Sequence, residues 1–210
     1  MVELFLSAFV TLFVVIDPPG CAPIYAGLTT GASPVHKRAM AVRACVIAGA
    51  ILLVFALFGQ ELLGALHIEL DSFRVAGGIM LFLIALDMVF EKRTQRREKR
   101  AEEVRETPEV EDVSVFPMAM PMLAGPGAIA SVMLLESNAQ GLEGTLTVLA
   151  ALAAVMVLTL LALIAASPLM KLFGARVEAV ITRLLGVLLA ALAAQYVIDG
   201  LRGSFVATFA

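Results

Sequence analysis

Six apolar stretches, each close to the length that crosses a bilayer, leave this chain few folds to choose from. They run at about 5–31, 39–59, 73–90, 115–136, 145–166 and 180–198. A hydrocarbon core of ~30 Å needs about 20 apolar residues in a helix. Backbone polar groups find no water there, so only helices and closed barrels span it. These runs are continuous, without the alternation of a barrel strand, and the expected fold is an all-α membrane protein with six transmembrane helices. A soluble domain carries roughly 25% charged residues. This chain of 210 residues has 16% charged and 60% hydrophobic residues, with a mean hydropathy of +0.96.

The first residues, MVELFLSAFV, lack a basic segment and include Glu3, so an uncleaved first helix is expected instead of a signal peptide. Orientation follows from Lys and Arg. With six crossings, the loops at 32–43, 91–114 and 167–183 share one side. They hold Lys37, Arg38, Arg43, Lys92, Arg93, Arg96, Arg97, Lys99, Arg100, Arg105, Lys171, Arg176 and Arg183, which is 13 of the 15 basic residues. The positive-inside rule places these loops in the cytoplasm and both termini outside.

The chain also repeats itself. Pro18-Pro19-Gly20 matches Gly125-Pro126-Gly127 at an offset of 107, Leu62-Leu63-Gly64-Ala65 matches Leu172-Phe173-Gly174-Ala175 at 110, and Arg74-x-x-Gly77 matches Arg183-x-x-Gly186 at 109. Three matches in one order imply two three-helix repeats, 1–90 and 115–210, joined by a charged, solvated and partly helical linker at 91–114. A second copy of three crossings enters the membrane inverted. Inverted repeats with Gly/Pro-interrupted helices at matching positions mark secondary transporters.

The interruptions fall in the first and fourth helices. Proline removes an amide donor and glycine admits unusual backbone angles, so each break frees carbonyls before it and amides after it. The amides that open the half-helix near Gly127, with their positive dipole end, suit a carboxylate. Asp17 stands at the first break, where an acid costs roughly 2.5–3.5 kcal/mol on insertion scales. It could receive a substrate ammonium, bind a coupling ion or carry a proton; its structural alternative is to cap the half-helix that follows. The candidate substrate-binding residues are Asp17, Pro18, Pro19, Gly20, Cys21, Gly125, Pro126, Gly127, Ala128 and Ser131, with Asp17 also the candidate for the coupling ion. Pro23, Pro117 and Pro121 read as packing kinks. Gly27-x-x-x-Gly31 and Gly77-Gly78 read as close helix contacts, and Asp199 with Arg202 as a helix-end ion pair.

The stretches VVIDPPGCAPIYAGLT and FPMAMPMLAGPGAIASVMLL resemble the MarC family of bacterial inner-membrane proteins. The family's first-helix motif falls on Asp17, Pro18, Gly20 and Pro23. Its fourth-helix motif falls on Pro117, Pro121, Gly125, Pro126, Gly127, Ala128 and Ile129. The resemblance implies a transporter of small neutral amino acids of the glycine and alanine type. Cys21 departs from the Asn frequent at that position of the family, which leaves the substrate range of this chain open.

The expected function is therefore alternating-access transport or export of such amino acids, with proton coupling compatible. A channel or a non-transporting membrane scaffold is the alternative. A thiol–disulfide electron carrier is less well supported, because the repeat partner of Cys21 is Ala128. No P-loop, HExxH or GxSxG motif is present, and neither an enzyme, a cofactor nor a metal site is expected. The expected partners are a small zwitterion and the lipid bilayer, with no nucleic acid. Assembly into a homo-oligomer is compatible with the sequence.

Overall fold

Where the helices begin follows local capping chemistry. The structure, a computed structural model, describes residues 1–90, 92–105 and 112–209. The first span consists of α1 (Val2–Ile16) and α2 (Pro18–Leu28), separated at Asp17. Helix α3 (Pro34–Ala65) opens on Pro34, with the Ser33 hydroxyl accepting the His36 amide at 3.3 Å, and α4 is Leu70–Val89. Helix α5 (Lys92–Arg105) falls in the charged connection. A wide-turned segment, Ser114–Leu123, leads into α6 (Pro126–Ser137), and the two are bent by 52°. Helices α7 (Gly141–Ile164) and α8 (Ala166–Phe209) complete the chain. Every regular element among the described residues is helical. Five helices are long and apolar enough to span a bilayer, or six spans with the bent pair counted as one.

Two expected loops are helix instead. Residues 34–43 form the first turns of α3, and α8 runs without interruption from Ala166. Lys, Arg, Glu and Leu are good helix formers whether or not they lie in lipid. A hydropathy boundary therefore marks the edge of the apolar run and not the end of the helix. At 32 residues, α3 is about 48 Å long, so its basic first turns extend past the hydrocarbon.

The two broken spans occupy the centre. Almost all of α6 is buried, from Gly127 to Glu136, as expected of a helix surrounded by others. By contrast α3 buries one stripe, Ala41, Cys45, Ala48, Leu52, Ala56, Gly59 and Leu63, and exposes Val46, Leu53, Val54 and Phe58. Helices α1 and α2 pack against α7, α3 packs against α6 and the segment before it, and α4 lies along α8.

Small residues make the last seam close. A Cβ on Gly78 would lie 2.9 Å from the Ala193 carbonyl oxygen, and one on Gly186 would lie 2.9 Å from Met88 Cβ. Gly77 instead faces Leu134 of α6. The pair Gly27 and Gly31 makes no such contact: nothing lies within 4 Å of a Cβ at either position, and Gly31 occupies a turn at φ 86°. Asp199 accepts from Gln195 at 2.8 Å, and no ion pair joins it to Arg202 among the described residues. At the two kinks, Phe116 (φ −126°, ψ 128°) and Met120 (φ −130°, ψ 126°) leave helical geometry. Each precedes a proline, whose ring pushes its neighbour toward an extended backbone.

Candidate functional site

The first break is closed by its own acid. Asp17 adopts φ 60°, ψ 63°, a left-handed conformation that Asp tolerates better than most residues. Its amide still donates to the Phe13 carbonyl at 2.9 Å, which ends α1. Its side chain accepts the Gly20 amide at 3.1 Å, which caps α2. Pro18 takes the first helical position, where its missing N–H costs nothing. Gly20 is required there, because a Cβ would lie 2.8 Å from Asp17 Cγ. Holding a non-glycine residue in this conformation immediately before a proline costs of order 1–3 kcal/mol.

Asp17 is only 1% exposed, and its charge is met from the stretch expected to be a solvated linker. Helix α5 packs against α2 and α4, with Arg97 and Ala101 buried on its inner face. Arg97 Nη1 lies 3.0 Å from Asp17 Oδ2. The linker reading is thus corrected for Lys92–Arg105: its helical tendency holds, but one face belongs to the interior. An acid buried between helices demands a cation, and that demand was the only signal in the sequence. Nothing in the sequence singled out Arg97 among its basic neighbours. Residues 91 and 106–111 of the same stretch lie outside the described residues.

The second break is open. Gly125 stands at the cap position of α6 with extended backbone (φ −78°, ψ 170°) and has no side chain to offer, while Pro126 is the first helical residue. The first-turn amides at Gly127 and Ala128 therefore have no side-chain cap, and the positive end of the helix dipole is uncovered. A side chain on Gly125 would run into the Pro121 carbonyl.

In front of this break lies a cavity of about 280 Å³. Gly125, Pro126, Gly127 and Ala128 form one wall, with Pro121 and Met122 beside them. Val15 and Ile84 form an apolar side, and Asp87, Arg96 and Arg97 supply the charge. Asp87 and Arg96 form an ion pair, with the Arg96 side chain 71% exposed. The cavity thus runs from an exposed basic rim to uncapped helix amides. Both charge signs and a dry wall converge in a space of small-molecule size.

The expected residues divide between the two breaks. Gly125, Pro126, Gly127 and Ala128 line the cavity. Asp17 sits one step behind it, bound to the lining residue Arg97. Pro18 and Gly20 are buried and Pro19 half-buried around the cap. Cys21 is fully buried, with its thiol 3.5 Å from the Ile16 carbonyl, and does not line the cavity. Ser131 is fully buried, and its hydroxyl has no hydrogen-bond partner among the described residues. Thr29 bonds its own helix at Tyr25.

Five apolar spans, or six with the bent pair counted as one, define a polytopic α-helical integral membrane protein. The chain belongs to the MarC family of integral membrane proteins, whose pattern matches residues 2–205. It is 33% identical over 204 residues to the UPF0056 membrane protein MJ1677 of Methanocaldococcus jannaschii, covering 97% of this chain and 98% of that one. It is 34% identical over 205 residues to the UPF0056 membrane protein YvbG of Bacillus subtilis, covering 98% and 97%. The UPF0056 inner membrane protein YhgN of Escherichia coli is 32% identical over 199 residues, covering 94% and 95%. No solved structure is a match.

Proposed function

We propose that this protein is a secondary transporter of small neutral amino acids, binding them at the second helix break. The carrying observation is the cavity that joins the uncapped α6 amides to Arg96, Arg97 and Asp87. The carboxylate of a zwitterion would sit at the Gly127 and Ala128 amides, near Arg97, where charge-assisted hydrogen bonds are strong. Its ammonium would face Asp87. Gly127 belongs to the wall at which the carboxylate would sit, and a cavity of about 280 Å³ suits small amino acids of the glycine and alanine type.

Alternating access would come from two inverted repeats rocking about the central broken spans. The pseudo-exchange of partners supports this: the first span packs on the fifth as the fourth packs on the second, and the third packs on the sixth. In this reading the basic end faces the cytoplasm and the termini face outward. Proton coupling through Asp17 would require Arg97 to release it.

Counterflow of labelled glycine and alanine in proteoliposomes tests the reading. Uptake driven by internal unlabelled substrate is expected from wild type, sharply reduced in Asp87→Asn. Absence of uptake by folded wild-type protein would refute it and favour a scaffold. Labelled flux without acceleration by internal substrate would favour a channel.

A further inference from the structure

A second cavity, of about 420 Å³, lies at the same basic end and away from the helix breaks. Lys37 and Arg38 face it from the first turns of α3, Tyr25 and Thr29 from the end of α2, and Leu163 and Ile164 from the end of α7. The Tyr25 hydroxyl donates to the Lys37 carbonyl and ties α3 to α2 at this point. Elsewhere Arg43, Arg74, Arg96 and Arg97 each pair with an aspartate. Among the described residues Lys37 and Arg38 have no acidic partner and no acid lines the cavity. One wall is apolar and continuous with the membrane-facing surface: Ile164 is exposed, as are Leu161 and Val157 one and two turns before it.

We infer that this cavity binds the phosphate of an anionic phospholipid headgroup, with an acyl chain lying along Val157, Leu161 and Ile164. Basic pockets between membrane helices at the cytoplasmic end are suited to such headgroups. Two cations with no acidic partner among the described residues favour an anion, and a wall that opens to lipid favours a tethered phosphate over a free one. The inference does not depend on transport.

The test is thermal unfolding of the full chain in a neutral detergent. Three probes are compared: short-chain phosphatidylglycerol, short-chain phosphatidylcholine and inorganic phosphate. A ligand that binds the native state raises the unfolding temperature with concentration. The expected result is a rise with phosphatidylglycerol well above that with either other probe. Most of it should be lost in Lys37→Gln/Arg38→Gln and kept in Lys99→Gln/Arg202→Gln, which removes two exposed charges elsewhere. Ala32→Phe keeps both cations but fills the cavity, and should lose the rise too; it decides the matter if the double variant does not fold. Equal rises with phosphatidylcholine, or with inorganic phosphate alone, would overturn the inference. So would a rise unaffected by the variants at Lys37, Arg38 and Ala32.

Discussion

The two broken spans place a proline at the same helical position, Pro18 in one and Pro126 in the other, and differ in the residue just before it. At the first break that residue is Asp17, whose carboxylate caps α2, is held by Arg97 and is 1% exposed. At the second it is Gly125, which has no side chain and leaves the α6 amides facing a cavity. One break supplies its own anion; the other leaves its first-turn amides without a side-chain cap. Two similar breaks can thus differ, one closed by its own side chain and the other opening on a cavity. The lesson is physical: free amides in a membrane must be satisfied, and a side chain and a substrate are alternative ways of doing so.

The comparison breaks most severely where the first site loses its charge balance. Arg97→Leu strands a buried carboxylate and should cost about 3–5 kcal/mol, read as a large fall in unfolding temperature in detergent. Asp17→Asn strands the guanidinium at comparable cost, so its effect on transport alone would not isolate a transport role. Asp17→Asn combined with Arg97→Gln should recover most of the stability, because neither buried charge is then left alone.

At the second site two neighbouring glycines should behave differently. A methyl at Gly125 meets the Pro121 backbone, and overpacking of that kind costs about 1–3 kcal/mol. A methyl at Gly127 meets only Ile84 Cδ1, the end of a flexible side chain, so Gly127→Ala should unfold within a few degrees of wild type. Equal losses at both positions would show that the break tolerates no side chain for reasons other than backbone contact.

Smaller effects sharpen the contrast at the rim. Asp87→Asn removes a partly exposed ion pair, worth about 0–1 kcal/mol. Its unfolding temperature should hardly move while the proposed amino acid counterflow falls. Smallest is Asp112, at the entry to the second broken span. Burial pushes its carboxyl up, but hydrogen bonding from Ser114, whose amide lies 2.9 Å away, and the Arg43 guanidinium hold it below its ordinary value. A depressed folded value means that its stabilisation is present above the usual carboxylate range and lost as pH falls through the folded value. Stability measured from neutral to acidic pH should therefore decline slightly less in Asp112→Asn than in wild type.

Much of this was legible in the residues. Six apolar runs correspond to five spanning helices and a bent pair that can make a sixth, because a bilayer sets their length. Pro18 and Pro126 marked both breaks, because a proline inside a span must either kink or start a helix. Gly125 through Ala128 read as a helix start without a side-chain cap, and they line a cavity. The role of Asp17 stayed divided between site and cap, since its partner lies 80 residues away in a stretch whose composition reads as solvated. Arg97 differs from Arg96 only in the face of α5 on which it falls, and that face is fixed by tertiary packing. Gly27 and Gly31 carried a packing pattern, yet among the described residues nothing lies within 4 Å of a Cβ at either.

The most direct test of the central contrast is counterflow of labelled alanine by three folded proteins: wild type, Gly127→Val, and Asp17→Asn/Arg97→Gln. Exchange should be lost in Gly127→Val, whose side chain occupies the cavity, and retained in the double variant, whose break is structural. Loss in the double variant as complete as in Gly127→Val, with exchange intact in wild type, would contradict the account and place the first break within the binding site.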